Sequence, residues 1–310
     1  MKVSGTQALF LAGLMCLAVT GSCSLFGPRD SGAHDSAPAW SPDGKAIAYA
    51  RSLDDRSLSG LYLIDTNGRN SRLLLQGYFG CPAWSPDGRW LAFTDFRDMQ
   101  IYKVKVNGDS LTRLTSAGRN YYPSWSVADK IAFDSNVDHP RGAYAIWVMN
   151  SDGSDMRPLQ PLYDPDPYNN GGRSPSWSPD GSRLVFYRWY PGRHHEELAI
   201  MDSAGQRQVR LTNDTFGLSS PAWSPDGRGI AVCRYASQGV HVLLLDLQTM
   251  EQAHLPVDAV SLTWSPDGQK LCFEELGPPV PLPPEEPGPE VGRYLWIVSK
   301  DGTGLRRLTR

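Results

Sequence analysis

The sequence predicts an all-β protein, a six-bladed β-propeller built of four-stranded antiparallel blades. Three observations lead to this prediction. A short motif centred on tryptophan recurs six times, apolar strand-like segments follow every copy at similar distances, and the chain is rich in turn-forming residues, with 30 Gly and 25 Pro in 310 residues. A self-similar period of about 40–45 residues is typical of propeller blades.

The repeated motif is Pro-x-Trp-Ser-Pro-Asp-Gly. It occurs in full at residues 38–44, 82–88, 175–181 and 221–227, with a near copy at 262–268 and a degenerate one at 123–129. Its tryptophans, at positions 40, 84, 125, 177, 223 and 264, are separated by 44, 41, 52, 46 and 41 residues. Pro presets φ for the second turn position and Gly accepts the positive φ that reverses the chain, so the motif predicts a strand, a tight turn and a return strand.

Each motif is followed by three further predicted strands. The second strands lie at 46–50, 91–94, 131–134, 184–187, 230–233 and 271–274, and the third at 61–64, 101–104, 146–149, 198–201, 242–245 and 295–298. The fourth lie at 72–75, 111–115, 156–159, 209–212, 305–309 and, weakly, 253–255. We therefore place the blades near 38–80, 81–120, 121–172, 173–218, 219–259 and 260–310. Packing the sheets radially buries their apolar faces, with the repeat tryptophans between blades and with closure by side-chain packing of blade six on blade one.

The N-terminus has the features of an export signal. Lys2 precedes an uncharged apolar run at residues 8–20, which is too short to span a bilayer and fits a signal peptide at 1–22. Small residues then precede Cys23, which resembles the bacterial lipobox, so we predict acylation of Cys23 and a tether over 23–37. A plain secretory leader is the alternative. We expect the protein on the periplasmic side of the outer membrane or at the cell surface.

The remaining composition excludes several classes of function. A formal net charge of -3 gives no basic excess for nucleic-acid binding. The sequence has no GxSxG, P-loop, GxGxxG, CxxC or HExxH motif, so no catalytic residue, metal or cofactor is assigned. If Cys23 is acylated, Cys81, Cys233 and Cys272 remain, and this odd number predicts no disulfide framework. Cys233 and Cys272 fall in apolar strands and are interpreted as buried, unreactive thiols. We expect a monomer.

Two segments carry open alternatives. Residues 194–197 (His-His-Glu-Glu), with Asp138, His139, Asp164 and Asp166 on other loops, contain metal-binding residue types. Adjacent histidines on an extended chain point in opposite directions, so we interpret this group as solvated loop charge. The proline-rich segment 277–292 is interpreted as a semi-rigid loop insertion, with a docking segment as the alternative.

The repeats together resemble the TolB-like propeller family, over residues 38–310. The Pro-x-Trp-Ser-Pro-Asp-Gly motif, the strand ending in an Asp-Gly or Asn-Gly turn and the Arg-x-Leu-Thr strand carry this resemblance. TolB itself has an additional α/β domain before its propeller and works in the periplasm with a peptidoglycan-associated lipoprotein. We expect no such domain here, so the resemblance implies the propeller alone, and propellers host many functions.

We therefore expect a non-catalytic binding or scaffold propeller at the cell envelope that recognises a protein, peptide or glycan. The alternative is a metal-dependent carbohydrate lyase or hydrolase. The loops after second strands and between blades are long and varied and carry aromatic residues, whereas the turns of the opposite face are short and repetitive. The predicted ligand-binding residues on this long-loop face are Tyr122, Tyr163, Trp189, Tyr190 and His194.

Overall fold

The computed structural model describes residues 33–139, 143–160, 171–190, 196–213, 217–236, 239–275 and 293–309, with the side chain of Trp189 left out. These residues form six antiparallel blades, which confirms the predicted fold class. No helix in the described segments is long and apolar enough to cross a membrane.

The strands follow the sequence repeat. Blades one to three comprise β1 (His34–Trp40), β2 (Ala46–Ser52), β3 (Gly60–Asp65), β4 (Arg72–Gln76), β5 (Phe79–Trp84), β6 (Trp90–Asp95), β7 (Gln100–Lys105), β8 (Thr112–Arg113), β9 (Asn120–Trp125), β10 (Lys130–Ser135), β11 (Ala145–Asn150) and β12 (Arg157–Pro158). Blades four to six comprise β13 (Arg173–Trp177), β14 (Arg183–Trp189), β15 (Glu196–Asp202), β16 (Val209–Arg210), β17 (Leu218–Trp223), β18 (Gly229–Ala236), β19 (Gly239–Asp246), β20 (Gln252–Trp264), β21 (Lys270–Glu275), β22 (Leu295–Ser299) and β23 (Arg306–Arg307). A 3-10 turn at Arg56–Leu58 precedes β3.

Two features differ from the sequence prediction. β20 is one continuous strand that is outermost in blade five and innermost in blade six, so these blades share a seven-stranded sheet. His241 pairs with Asp258 on one side of the change and Ala259 with Glu275 on the other. In addition, β1 begins at His34, within the predicted tether, because Asp35 is fully buried and Arg51 binds its carboxylate with two hydrogen bonds of 2.6 and 2.7 Å.

The turn motif works through its side chains. In all five Ser-Pro-Asp-Gly copies the Ser hydroxyl donates to the Asp carboxylate over 2.5–2.7 Å, and the backbone N–H two residues after the Asp donates to the same oxygen. These bonds lower the pKa of the Asp residues, to about 2 for Asp180. In the degenerate copy, Asp129 adopts φ of 58°, a conformation that Asp tolerates better than most residues.

Three of the six repeat tryptophans donate a hydrogen bond to a neighbouring blade, whereas the indole of Trp125 bonds Asp129 of its own turn. The indole Nε1 of Trp84, Trp177 and Trp264 donates to the backbone oxygen of Ala39, Ser124 and Ala222, respectively, each on the innermost strand of the preceding blade. The motif proline of one blade also lies beside the motif glycine of its neighbour. At the closure of the ring, Pro266 of blade six lies beside Gly44 of blade one. The described residues therefore form a closed ring around an axis lined by the innermost strands.

Among the described residues, ring closure involves no exchanged strand, and β23 pairs with β22 of its own blade. It does include backbone contact, which the sequence did not predict. The N–H of Asp35 donates to the oxygen of Arg293 over 2.9 Å, and the N–H of Arg293 donates to the oxygen of Ala33 over 3.0 Å. A parallel bridge thus adds to side-chain packing between blades six and one.

Candidate functional site

The innermost strands carry a repeated bulge at the long-loop end. In five blades the residue before the motif proline has a positive φ of 49–54°; these residues are Ala37, Cys81, Tyr122, Ser174 and Ser220. The pairing register shifts at each of these positions. Bulges redirect side chains. Positive φ is unfavourable for non-glycine residues, so the packing of the blades holds these five residues in a strained backbone conformation beside the axis.

At the third blade the bulge places Tyr122 at one end of a continuous group of rings on the long-loop face. Tyr78 and Phe96 have centroids 5.7 Å apart, Phe96 and Tyr121 6.4 Å, and Tyr121 lies 6.2 Å from Tyr122 and 5.9 Å from Tyr144. Tyr121 is buried, whereas Phe96, Tyr122 and Tyr144 are half-buried and Tyr78 is 40% exposed. We call these five residues the aromatic track.

Arg173 joins the aromatic track to blade four. Its guanidinium lies 4.5 Å from the ring centroid of Tyr144, and its Nε donates to Asp134 Oδ2 over 3.2 Å. Asp134 is fully buried, and this burial raises its pKa to about 6 despite the neighbouring arginine. Burial also raises the pKa of Tyr121 to about 12, so its hydroxyl is neutral, and it donates to Met99 Sδ over 3.2 Å.

Tyr190 lies in a separate group in blade four. The guanidinium carbons of Arg188 and Arg210 lie 5.2 and 5.1 Å from its ring centroid. Arg210 also donates to Glu197 over 2.9 Å, and Glu197 accepts a 2.7 Å bond from the hydroxyl of Thr212. Tyr190 is half-buried and therefore keeps part of its ring available at the surface.

For Glu196 and Glu197, these contacts contradict the prediction that the His-His-Glu-Glu segment is solvated loop charge. Glu196 is 5% exposed and Glu197 is fully buried, because β15 begins at Glu196 and Arg210 provides a counter-charge for its neighbour. His194, His195, Asp164 and Asp166 lie outside the described residues. Asp138 is exposed, and His139 Nδ1 accepts a 3.2 Å bond from the N–H of Ala143. Within the described segments, no group of three His, Cys, Asp or Glu side chains could hold a metal ion.

Of the predicted ligand-binding residues, Tyr122 in blade three and Tyr190 in blade four are described and partly exposed. Trp189 ends β14, and its side chain is not described; Tyr163, His194 and the predicted acylation site Cys23 lie outside the described residues. The sequence missed Tyr144 and Arg173 as site residues. Tyr144 lies at the end of a long predicted loop, which was a usable signal, whereas its contact with Arg173 depends on the neighbouring blade.

The cysteines are only partly as predicted. Cys233 and Cys272 are free and buried, and burial raises the pKa of both thiols, so they are unreactive as expected. Cys81, in contrast, is disulfide-bonded, and its partner is not among the described residues.

A groove of about 650 Å³ lies on the opposite, tight-turn face between blades five and six. Asp226, Arg228, Asp267 and Lys300 line it together with Trp264. Asp226 and Asp267 are already engaged by their turn serines, so much of the polar lining belongs to the turns themselves. The sequence predicted only short, repetitive turns on this face. The groove shows that the face also has a concave surface.

Residues 29–195, more than half of the chain, match the family model PD40, the TolB beta propeller domain. An uncharacterized protein of Agrobacterium fabrum is 37% identical over 163 residues, which are 49% of this chain and 54% of that protein, so the match spans about half the length of this relative.

Two solved structures show the same fold. TolB from Acinetobacter baumannii superimposes with a TM-score of 0.64 at 20% identity, over 97% of this chain and 69% of that one. An oligogalacturonate lyase in complex with manganese gives a TM-score of 0.59 at 13% identity, over 90% of this chain and 78% of that one. At these identities the likeness concerns the fold alone.

Proposed function

Since this chain belongs to the TolB β-propeller family, we propose that it is a non-catalytic binding propeller of the bacterial cell envelope that recognises its partner through the long-loop face. The partner is a protein, a peptide or a glycan.

The observation that carries this proposal is the aromatic track. Partly exposed rings on loops fixed by a rigid scaffold are common anchors in recognition sites, because they bury much area while losing little rotamer entropy. The track spans three blades and ends at Tyr122 beside the axis. Arg173 and the arginines around Tyr190 supply donors for carboxylates or carbonyls nearby.

The chemistry of the described residues supports binding rather than catalysis. The acids of this face are engaged with arginines, as in the pairs Asp95–Arg97, Asp134–Arg173 and Glu197–Arg210. A metal-dependent lyase is the competing function, and likeness of fold alone does not favour it. Stoichiometric transition metal in the purified protein, lost on joint replacement of His194 and His195 by Ala, would contradict the proposal.

We also propose that residues 1–22 direct export and that acylated Cys23 anchors the protein to a membrane. The short apolar run and the small residues before Cys23 support this, as does a family likeness to an envelope protein. An acylated Cys23 carries its lipid through a thioether and therefore has no thiol for a disulfide. The mass of the mature N-terminal peptide distinguishes these two states and tests acylation directly.

The test of the binding face compares two triple variants in a pull-down from membrane extract. The long-loop variant carries Tyr78→Ala, Tyr122→Ala and Tyr190→Ala, and the control on the tight-turn face carries Val127→Ala, Met250→Ala and Gln269→Ala. The proposal expects that proteins recovered with the unmodified chain are lost only with the long-loop variant. Loss only with the control would contradict it.

A further inference from the structure

The groove on the tight-turn face lies at the seam, the line of contact, between blades five and six. Three residues of blade five that line it are Gly229, Leu244 and Ala253. Gly229 is the first residue of the second strand, and Leu244 and Ala253 pair with each other on the third and fourth strands. The strand starts and the pairing register identify the same three positions in every blade, and we call them the seam positions.

Every blade except the fifth carries a lysine or an arginine at its seam positions. In blades one, two, three, four and six, respectively, these positions are Ala46, Leu63 and Arg72; Trp90, Lys103 and Thr112; Lys130, Val148 and Arg157; Arg183, Ile200 and Val209; and Lys270, Ile297 and Arg306. Blade five has glycine, leucine and alanine instead, so no side chain at these positions can act as a cation.

Four of these cations contact the following blade. Three of them donate to the backbone oxygen of the first residue after the third strand of that blade. The pairs are Arg72 with Val106, Lys103 with Ser151 and Arg306 with Thr66, over 2.7, 2.8 and 2.5 Å. The guanidinium of Arg183 instead lies 4.9 Å from the ring centroid of the next repeat tryptophan, Trp223. Cations at the seam positions therefore recognise two features of the neighbouring blade, a carbonyl oxygen and an indole ring.

Both features are present on the blade-six side of the groove. The first residue after β22 is Lys300, and no hydrogen bond among the described residues reaches its backbone oxygen. The repeat tryptophan of blade six is Trp264, and no cation of the described part of the chain covers its ring as Arg183 covers that of Trp223. Lys300 and Trp264 both line the groove. The groove thus presents the acceptors of a seam cation next to a blade that supplies none.

The charge of the groove also favours a cation. Its charged lining residues are Asp226, Asp246, Glu251, Asp267, Arg228 and Lys300, so four carboxylates face two cations. The turn hydrogen bonds of the three aspartates all use Oδ1, which leaves Oδ2 of each available to a further donor. These bonds lower the pKa values of the aspartates, which are therefore ionised at neutral pH.

We propose that this groove binds a small organic cation with a guanidinium group, which takes the place that a lysine or arginine of the preceding blade takes at other seams. The guanidinium donates to the backbone oxygen of Lys300, as Arg72 and Arg306 do at the equivalent oxygens, and stacks on Trp264. The surrounding carboxylates accept its remaining N–H groups.

The size of the groove fits a free small molecule. Its volume of about 650 Å³ lies within the range of about 300–1,000 Å³ that is typical of small-molecule sites. The groove is on the face opposite the long loops, so this site is separate from the proposed partner-binding face. The inference does not depend on the partner that the long-loop face recognises.

The test is a titration of the full chain, labelled with ¹⁵N at tryptophan, with butylguanidinium, and the indole N–H signals are followed by NMR. Trp264→Phe identifies the Trp264 signal. We expect a saturable shift of this signal with a dissociation constant on the order of millimolar, because the probe is small. The Trp223 signal should change little, since Arg183 already covers that ring. Butylurea, which is neutral and nearly the same shape, is the matched control and should give no saturable shift.

Two variants locate the site. Ala253→Arg restores the arginine that blades one and six carry at this seam position, and its own guanidinium should weaken binding of the probe by at least about tenfold. Val209→Arg, at the same position of blade four, should preserve binding. An equal response to butylurea, no shift of Trp264, or unchanged affinity in Ala253→Arg would overturn the proposal. Because the two probes are compared on the unmodified chain, the test is decisive even if Ala253→Arg does not fold.

Discussion

Replacing Trp177 by Phe tests the bonds between blades. The Trp177 side chain is 8% exposed, and its Nε1 donates to the backbone oxygen of Ser124 in blade three over 3.1 Å. Phe keeps an aromatic ring but removes this donor. The matched control is Trp223→Phe, because Trp223 occupies the same motif position, is 6% exposed, and its Nε1 has no partner among the described residues.

The two losses in free energy of unfolding should differ by the contribution of the hydrogen bond. The smaller ring costs both variants about 1 kcal/mol of packing. A buried hydrogen bond that loses its donor costs about 1–2 kcal/mol more, so Trp177→Phe should lose about 2–3 kcal/mol and Trp223→Phe about 1 kcal/mol. The Arg183 guanidinium lies 4.9 Å from the Trp223 ring centroid, and a weaker contact with Phe reduces the expected difference by about 0.5 kcal/mol or less.

The assay is equilibrium unfolding in urea, followed by circular dichroism so that the signal does not depend on the tryptophan that was removed. The midpoint should fall further for Trp177→Phe, with an unchanged slope. Equal losses for the two variants would refute the view that Trp84, Trp177 and Trp264 hold neighbouring blades through their indole N–H groups.

Three further predictions concern the membrane anchor at Cys23, the hydrogen bonds of the Thr212 hydroxyl and the pH dependence of stability. Cys23→Ala should move the protein from membranes to the soluble fraction, and unchanged fractionation would refute acylation there. Thr212→Val should lower the free energy of unfolding by about 1–3 kcal/mol in urea, because the Thr212 hydroxyl bonds both the N–H of Leu198 and the buried Glu197; Thr303→Val, on an exposed turn, should have less effect. The turn aspartates such as Asp180 have lowered pKa values in the folded protein, so their contribution to the free energy of unfolding is lost as the pH falls below about 4. The pKa of Glu274 is raised, so its contribution to the free energy of unfolding falls as the pH rises from about 4.5 to 7. The melting temperature should therefore be highest near about pH 5, and a maximum above about pH 8 would contradict this reasoning.

The blades could be predicted because their information is local. Ser-Pro-Asp-Gly closes its own turn with hydrogen bonds between residues two to five apart, and this periodicity places the strands on either side. β20 was divided incorrectly at the blade boundary because a change of partner sheet needs no turn residue. The degenerate copy was recognised from Trp125, although only the structure shows that Asp129 adopts the glycine conformation.

The site was less predictable because it depends on neighbouring blades. Arg173 contacts Tyr144 and Asp134 from 29 and 39 positions away, and the burial of Glu197 depends on Arg210 in the next strand. The bulges were also unexpected, because a residue before proline normally prefers an extended conformation. Loop position indicated Tyr122 and Tyr190 correctly as partly exposed rings, but could not show that they belong to separate groups.

The central claim, that the long-loop face binds the partner, is tested most directly by site-specific photocrosslinking in living cells. A photoreactive phenylalanine analogue is placed at Tyr122 or Tyr190 on the long-loop face, and at Val127 or Met250, which are 59% and 46% exposed on the tight-turn face. We predict discrete crosslinked products from the Tyr122 and Tyr190 positions and none from Val127 and Met250. Products only from Val127 or Met250 would contradict the account.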